Sequence, residues 1–426
     1  MSPLLDQMEK QIKSVMKRIL SMQSILKNTS LPETFRIKPN NPLSENQQAL
    51  LLSLDNLLVI AEELGSTIRE LTRILEGDEG EQFEETWLRL QLQLFHEVTQ
   101  NTLCLRLFLR GIENKAPEAE DEGNERVYWI ARDAKQQDIS LYLTPLNIAA
   151  CFRKYLFDGK ETVVFTSATL SVRNGFDYCS KQLGLDPYLL DVKILSSPFD
   201  HAAQVLLMSD KDLPDPSKTS ESAYNLALSR SLEVLLEACG GGTMALFTSH
   251  KQLRAMYEAL HLPLRHLGLE LFADGINGGR SSLLDELRGN EKAVVFGANT
   301  FWEGVDLPGV FLTSLLIVRL PFSPPGLPLV EARMEMLESQ GKDPFYEYSL
   351  PQAVLRFKQG YGRLIRSTED WGVVVVLDNR IIYKRYGQIF QQSLPDGRLH
   401  GGPPTQLAEK IREWKKKKSA HSDAKT

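Results

Sequence analysis

TMALFTSH, at residues 243–250, places five residues typical of a β-strand directly before three polar residues and a helical pattern. Two further stretches share this layout, TVVFTSATL at residues 162–170 and AVVFGANTFWEGVD at residues 293–306. Short apolar strands that alternate with helical patterns are typical of a mostly parallel, doubly wound α/β sheet. Because ligands of such sheets lie beyond the carboxyl ends of the strands, the polar residues after each strand predict a binding site.

The same alternation continues from residue 197 to residue 394. The run VVVVL at residues 373–377 is uniformly apolar, as a strand buried on both faces should be. A helix is predicted at Ala223–Ala238, and strands are predicted at Val205–Met208, Met244–Phe247, Leu269–Phe272, Ala293–Phe296, Leu315–Val318 and Val373–Leu377.

The stretch QGYGRLIR, at residues 359–366, sets a glutamine and two arginines directly before the last of these strands. A helix over Arg356–Arg366 would place Gln359, Arg363 and Arg366 on one face, at positions i, i+4 and i+7. Each glycine in it costs about 1 kcal/mol relative to alanine, and such a loss of stability is common at functional sites. The pattern predicts a sensor of nucleotide phosphate, and the alternative is an exposed basic turn.

In their order and spacing, these stretches resemble the superfamily 2 DNA helicases of the DinG and XPD branch. TSATL at residues 166–170 resembles motif III of that family, FTSH at 247–250 motif IV, residues 296–306 motif V and residues 359–366 motif VI. LPFSPP at residues 320–325 resembles the Leu-Pro-Phe turn of the same branch. The similarity covers most of residues 127–394. It implies a RecA-like motor lobe in an enzyme that uses ATP with Mg²⁺ to translocate along single-stranded DNA and unwind it.

The resemblance also implies roles in nucleotide binding. Arg363 and Arg366 are expected to act as arginine fingers on the γ-phosphate, and Gln359 is expected to position the attacking water or the γ-phosphate. The nucleotide side should further include three residues of motif V: Glu303, Gly304 and Asp306. In the alternative, the two carboxylates among them pair with Arg319.

The DNA strand is expected to be bound through its backbone, because a translocating motor must accept any base sequence. The Ser and Thr candidates could instead cap the helices that they precede. Phe301 and Trp302 are expected in the core rather than stacked on a base. The candidate strand-binding residues are Thr166, Thr169, Thr248, Ser249, His250 and Thr300.

The sequence contains no Gly-Lys-Thr or Gly-Lys-Ser loop and no Asp-Glu-Ala-His stretch. Its two Gly-Lys pairs precede Glu161 and Asp343, which offer no hydroxyl for Mg²⁺. We therefore expect this chain to be the carboxyl-terminal part of a helicase. The main phosphate and metal ligands would lie in a Walker-bearing half, which is then a partner of this chain. The chain alone is expected not to hydrolyse ATP. The alternative is a non-hydrolysing nucleic-acid-binding or scaffold protein.

The first part of the chain has a different pattern. Apolar residues recur at spacings of three and four along Leu5–Leu26 and Leu50–Leu75, and a third helix is predicted at Phe83–Leu109. Breaks between them favour an antiparallel bundle over an intermolecular coiled coil. In the resembled family, a helical insertion called the arch occupies this position. A hairpin of Arg126–Arg132 and Ile139–Leu143 should follow.

The expected fold class is α/β, with a RecA-like parallel-sheet lobe preceded by an all-α arch-like bundle. The domains are predicted as residues 1–125 for the bundle, 126–196 for the remainder of motor lobe 1 with motif III, 197–394 for motor lobe 2 and 395–426 for a basic tail. In motor lobe 1, a helix is predicted at Pro145–Phe157 before a strand of motif III. The tail ends in the run Lys415–Lys418, which is expected to be solvated or frayed.

Composition adds limits to this prediction. The net charge of −6 argues against wholesale electrostatic coating of nucleic acid and leaves only local basic surfaces. No apolar run has the roughly 18 residues of a membrane span, so we expect a cytoplasmic protein, and the bundle favours a monomer. The four cysteines form no Cys-x-x-Cys pair, so neither zinc nor an iron–sulfur cluster is indicated in this sequence.

Overall fold

Two structural units make up the chain. The computed structural model describes residues 33–38, 44–75, 125–133, 138–185, 189–302 and 311–423, with isolated residues within 6–17 and 93–109. The first unit comprises residues 1–150 with 325–333, and the second comprises residues 151–324 with 334–426.

The first unit combines a long helix with a three-stranded antiparallel sheet. Helix α1 is Glu45–Leu75, and the strands are β1 (Thr34–Ile37), β2 (Arg126–Asp133) and β3 (Asp138–Pro145), in the order β1-β2-β3. The predicted hairpin is therefore confirmed, whereas β1 was not predicted. A small apolar core joins the helix to the sheet, and its buried members are Phe35, Ile37, Leu50, Leu54, Phe108, Tyr128 and Ile130.

Helix α1 begins at a capping box. The backbone N–H of Ser44 donates to Oε1 of Gln47 at 2.9 Å, and the N–H of Gln47 donates to Oγ of Ser44 at 3.4 Å. This reciprocal pair satisfies two amide donors that the first turn of a helix leaves unpaired. The apolar stripe predicted for this helix is buried at Leu50, Leu54 and Ile68. Most of the predicted helices at 5–26 and 83–109 lies outside the described residues.

The second unit is built on a parallel sheet of seven strands among the described residues. Their order is β10-β4-β9-β8-β5-β7-β6, and every neighbouring pair is parallel. The six strands that the sequence predicted in this region are confirmed. The strands are β4 (Val205–Asp210), β5 (Thr243–Phe247), β6 (Glu270–Ala273), β7 (Ala293–Ala298), β8 (Ser314–Ile317), β9 (Gly372–Val376) and β10 (His400–Gly402).

Helices cover both faces of this sheet. Those that contribute to its two cores are α3 (Glu221–Cys239), α4 (His250–His266), α5 (Arg280–Gly289), α7 (Leu350–Tyr361), α8 (Gly387–Gln392) and α9 (Pro404–Asp423). The chain also forms α2 (Asp177–Leu183) and α6 (Pro328–Ser339).

The side chains of β5 alternate between the two resulting cores, as the period of two along a strand requires. Met244 and Leu246 face the core that contains α5, α7 and α8, whereas Ala245 and Phe247 face the core that contains α3, α4 and α9. Burial on both faces explains why these strands are continuously apolar. The predicted α/β fold class is confirmed.

The motif III segment differs from the prediction. Residues 161–166 form no strand and pair with none of the described strands, and the side chain of Val164 is 80% exposed. A strand buried on both faces needs a neighbour on each side to satisfy its backbone groups, and no strand of the described sheets provides one. The helix predicted before it is observed as Ala149–Phe152, continued by a single π-helical turn at Arg153–Phe157.

The carboxyl-terminal segment packs on the second unit, although Lys416 and Lys417 of the lysine run are exposed, as expected. Strand β10 pairs with β4, and α9 buries Leu407, Ala408 and Ile411 in one of the two cores. Lys415, from the lysine run, donates to the backbone oxygen of Cys239 at the end of α3 and to Oγ1 of Thr313. A lysine stabilises the carboxyl end of a helix because the carbonyls there have no partners within the helix.

None of the helices in the described part of the chain is long and apolar enough to cross a membrane. The four cysteines are free thiols, of which Cys239 is buried and Cys104 is exposed.

The packing of α9 predicts that the end of the chain stabilises the whole second unit. Ile411→Ala should lower the free energy of unfolding by about 2–5 kcal/mol, because Ile411 is fully buried and alanine leaves a cavity. Lys416→Ala, on the exposed side of the same helix, should change it by less than about 0.5 kcal/mol. Urea unfolding of the two variants checks this, and an equal effect would show that α9 is not part of the cooperative unit.

Candidate functional site

Three neighbouring strands end together at the carboxyl edge of the parallel sheet. Phe247 of β5 pairs in register with Ala298 of β7, and Leu246 of β5 pairs with Ile317 of β8. The residues that follow these strands therefore lie side by side. They are Thr248, Ser249 and His250 after β5, Asn299 and Thr300 after β7, and Arg319 after β8. The structure thus brings together the motif IV and motif V residues that were predicted to bind a DNA strand.

A crevice is formed where the chain leaves β5 and β8 toward opposite faces. After β5 the chain enters α4, which packs in one core, whereas after β8 it leads to α7, which packs in the other. Such a topological switch point leaves the carboxyl ends of two adjacent parallel strands uncovered, and it is the usual ligand site of open α/β sheets. The sequence predicted the edge, but the strand order was needed to place the crevice.

Trp302 connects the loops of this edge to motif VI. Its Nε1–H donates to the backbone oxygen of Phe247 at 2.8 Å, and its own backbone oxygen accepts from Nη2 of Arg363 at 3.2 Å. The side chain is only 1% exposed, and that of Phe301 is fully buried. The expectation that both aromatic residues belong to the core is therefore confirmed.

Gly360 allows α7 to approach Trp302 closely. A Cβ atom at this position would lie 3.2 Å from Cζ3 of Trp302 and 3.3 Å from Cδ1 of Leu246, both tighter than ordinary van der Waals contact. The low helix propensity of this glycine thus has a packing reason. From the sequence alone, the cost of this glycine indicated a functional site.

The helix predicted over Arg356–Arg366 was wrong at its carboxyl end. Helix α7 ends at Tyr361, and Gly362 donates its N–H to the backbone oxygen of Lys358 as the helix closes. Leu364 and Ile365 then turn into the core. Arg363 and Arg366 therefore do not continue the helical face of Gln359, because two glycines weaken the helix and two apolar residues are buried beyond it.

The loop that carries Arg366 is held at two points. Nε2 of the buried Gln204 donates to three backbone oxygens, those of Ser367 at 2.9 Å, Thr368 at 3.2 Å and Asp370 at 2.8 Å. Oδ2 of Asp370 accepts the backbone N–H of Arg366 at 2.8 Å and that of Ser367 at 2.9 Å. Burial lowers the pKa of the Arg366 guanidinium, and the charge of Asp370 opposes this shift.

Two features of the carboxyl edge remain consistent with a ligand. Ser249 is the N-cap residue of α4, yet its side chain makes no capping hydrogen bond, so the alternative that this serine is only a cap was wrong. Asn299 adopts a φ of 31°, a left-handed conformation that asparagine tolerates better than most residues. Thr300 and His250 are exposed beside them.

Thr166 and Thr169 do not lie on this sheet edge. Thr166 ends the motif III segment described above and Thr169 lies in the turn that follows it, where Oγ of Ser167 lies 3.0 Å from Oγ1 of Thr169. Ser171, just after this turn, contacts the residue directly before motif VI, because Nζ of Lys358 donates to the backbone oxygen of Ser171 at 2.9 Å. Burial lowers the pKa of this lysine.

Glu303, Gly304 and Asp306 lie outside the described residues. Neither their expected role on the nucleotide side nor the alternative pairing with Arg319 is therefore tested. Where the structure does describe the chain, no group of three or more His, Cys, Asp or Glu residues could hold a metal ion.

A cavity of about 240 Å³ opens at the crevice between β5 and β8. The guanidinium of Arg319 stacks over the ring of Tyr224 at 4.6 Å, and burial raises the pKa of Tyr224 to about 12. Neither Tyr224 nor Gln252 was predicted as a site residue, although each lies in the first turn of a helix that borders the sheet edge. The lining residues are Pro216, Thr219, Glu221, Tyr224, Ser249, Gln252 and Arg319.

Residues 232–397 match the family model of the helicase C-terminal domain. The chain is 36% identical over 275 residues to a Bacillus subtilis (strain 168) protein named 3'-5' exonuclease DinG, a match that covers 64% of this chain and 30% of that protein. It is 35% identical over 268 residues to the ATP-dependent DNA helicase YoaA of Escherichia coli (strain K12), covering 63% of this chain and 40% of the relative. The chain thus spans well under half of the length of these relatives.

Two solved XPD structures share the fold. They superpose with TM-scores of 0.56 and 0.57 at 15% identity, and the matches cover 93% of this chain and 64% and 71% of the solved chains. Together with the matches in sequence, they confirm the resemblance of this chain to the carboxyl-terminal portion of DinG and XPD helicases.

The close approach of α7 to Trp302 predicts the effect of two glycine substitutions. Gly360→Ala should lower the free energy of unfolding by up to about 2 kcal/mol, because overpacking costs about 1–3 kcal/mol and outweighs the gain of about 1 kcal/mol in helix propensity. Gly289→Ala, at a helical glycine with open space around it, should raise it by up to about 1 kcal/mol. Thermal and urea unfolding measure both, and stabilisation by Gly360→Ala would contradict the packing argument.

Proposed function

We propose that this chain, whose residues 232–397 match the helicase C-terminal domain, supplies the second motor lobe of an ATP-dependent DNA helicase. In this proposal the lobe senses ATP bound by a Walker-bearing lobe and converts its hydrolysis into movement along single-stranded DNA and unwinding. The hydrogen-bonded path from Arg363 through Trp302 to Phe247 carries the proposal.

The path offers a physical route from nucleotide to DNA strand. Arg363 holds the backbone oxygen of Trp302, and Trp302 holds the backbone oxygen of Phe247, the residue directly before Thr248 and Ser249. If the guanidinium moves to a γ-phosphate, Trp302 and the end of β5 lose or change a partner. A local change at the phosphate would therefore reach the loops proposed to grip the strand.

On the nucleotide side, Arg363 and Arg366 act as arginine fingers that stabilise the charge of the transferring phosphoryl group. Gln359 positions the attacking water or the γ-phosphate. Glu303, Gly304 and Asp306 contact the nucleotide or connect it to the strand side. ATP with Mg²⁺ is bound mainly by the Walker-bearing lobe, since the sequence has no Gly-Lys-Thr or Gly-Lys-Ser loop of its own.

On the strand side, hydroxyls and backbone amides of the loops after β5 and β7 bind phosphates of the DNA backbone. The candidates are Thr248, Ser249, His250 and Thr300, with Thr166 and Thr169 on the motif III turn. Backbone contacts of this kind carry no base sequence information, as translocation requires. We place the protein in the cytoplasm as a monomer.

ATP hydrolysis tests the proposal. The 426-residue chain alone should hydrolyse ATP no faster than buffer, with or without single-stranded DNA. A hybrid in which this chain replaces the matching region of the ATP-dependent DNA helicase YoaA of Escherichia coli should hydrolyse ATP in response to DNA. In that hybrid, Arg363→Ala should lower kcat by about a thousandfold or more, while Arg385→Ala, an exposed arginine beyond motif VI, should leave kcat unchanged.

Two outcomes would contradict the proposal. Hydrolysis by the chain alone would point to an unrecognised phosphate site within it. Equal kcat values for the Arg363 and Arg385 variants would show that Arg363 does not act as an arginine finger. A chain that binds DNA while the hybrid stays inactive would favour the scaffold alternative.

A further inference from the structure

We propose that two exposed segments of this chain are strands that complete the parallel sheet of the Walker-bearing lobe. The first segment is residues 162–167, which lead into the motif III turn, and the second is residues 191–196, between α2 and β4. This inference rests on the proposed function, which requires a Walker-bearing lobe, and it adds the surface by which that lobe is bound.

Both segments expose apolar side chains to solvent. Val164 is 80% exposed and Leu195 is 75% exposed, and every residue of the second segment is exposed. Single exposed apolar residues are common, but runs of them within two short segments indicate a surface that another polypeptide covers. The large apolar side chains concerned are Val164, Phe165, Val192, Ile194 and Leu195.

The backbone of the two segments is available for pairing. In the described part of the chain, residues 162–166 and 191–196 form no backbone–backbone hydrogen bond and belong to neither sheet. Such N–H and C=O groups are a template on which the sheet of another polypeptide can add. Valine, isoleucine, phenylalanine and threonine, which are frequent in the two segments, are the residues that strands favour.

The residue patterns assign different places to the two strands. In the first segment, three successive apolar residues stand between Thr162 and Thr166, as expected of an inner strand with both faces covered. In the second segment, Asp191 and Lys193 alternate with apolar residues, so only one face of a strand there would be apolar. Charged residues, lysine above all, are typical of edge strands. The first segment therefore takes an inner place and the second an edge.

A second copy of this chain does not offer an inner place. From β10 to β6, each strand of the described parallel sheet is bonded to the next, so that sheet has no gap. Its two edges would each pair with only one side of an added strand. The partner that fits the first segment is therefore an α/β lobe with a gap in its sheet.

The stretch between the two segments is anchored on α7. The backbone oxygen of Ser171 accepts from Nζ of Lys358 at 2.9 Å, and the hydroxyl of Tyr178 accepts from Nε2 of Gln352 at 2.7 Å. Ser171 follows the first segment by four residues, which span at most about 14 Å. The carboxyl end of the first segment therefore lies close to α7.

This position identifies the ligand of the completed sheet. Ligands of parallel sheets lie beyond the carboxyl ends of the strands, so a lobe that contains the first segment would hold its ligand on the side of α7. Arg363 follows the end of α7 by two residues and is the proposed arginine finger. The lobe that these strands complete is therefore the one that binds ATP.

Hydrogen exchange at single-residue resolution tests the pairing directly. In the chain alone, amides of residues 162–166 should exchange at nearly the rate of an unstructured peptide, because the described sheets give them no partner. In the hybrid with the E. coli helicase, all of them should exchange about a hundredfold more slowly or less, as amides of a buried sheet do. Residues 191–196 should be protected at alternate amides only, because an edge strand pairs on one side.

A charge on the first segment should prevent the pairing. Val164→Lys should abolish the protection of residues 162–166 in the hybrid together with its ATP hydrolysis, because an inner strand would bury an unpaired charge. In the chain alone it should leave urea unfolding unchanged, since the side chain is exposed. The matched control is Leu226→Lys, at an apolar residue of α3 that is 54% exposed, and it should change neither readout. Ile194→Lys repeats the test on the second segment.

Three results would overturn the inference. In the first, a hybrid hydrolyses ATP in response to DNA while residues 162–166 remain unprotected, which leaves the proposed function intact. In the second, Val164→Lys and Leu226→Lys behave alike in the hybrid. In the third, the chain alone sediments as a dimer that Val164→Lys dissociates, which assigns the surface to a second copy. Protection without ATP hydrolysis would instead support the inference and reject the proposed function.

Discussion

The packing of Trp302 is the interaction on which the candidate site depends. The residue lies in the turn after β7, and its buried indole ring packs against Gly360 of α7. Its ring N–H donates to the end of β5, and its backbone oxygen accepts from Arg363. Buried polar atoms of this kind must be paired, so the relative positions of motifs IV, V and VI are fixed by one residue. Arg363 reaches the site because α7 can approach the sheet at Gly360.

The strand order gives the lobe its second defining feature. Because the chain leaves β5 and β8 toward opposite faces, a crevice lies between residues far apart in sequence, Gln252 and Arg319. The loops that we propose to bind DNA phosphates occupy the same edge. Trp302 connects this edge to Arg363, for which we propose a role in sensing the nucleotide.

Much of the parallel sheet could be predicted from the sequence, because strands buried on both faces are continuously apolar and their ends are marked by polar residues. The prediction failed where local pattern and tertiary context disagree. The motif III segment has the composition of a buried strand but pairs with none of the strands that the structure describes. The spacing of Gln359, Arg363 and Arg366 predicted a helix that continues to Arg366. Gly360 and Gly362 weaken that helix, and Leu364 and Ile365 are buried in the core instead. In α9, the lysine run indicated a solvated segment, but the apolar residues Leu407, Ala408 and Ile411 before it are buried.

The sequence by itself determined the fold class, the six central strands of the second unit, the resemblance to DinG and XPD helicases and the candidate residues after each strand. These depend on local periodicity and on short motifs, which are properties of neighbouring residues. Only the tertiary structure decided the strand order, the path from Arg363 to Phe247, the contact of Arg319 with Tyr224 and the presence of Gln252 in the same cavity. Those contacts join residues widely separated along the chain, and no local pattern encodes which of them meet.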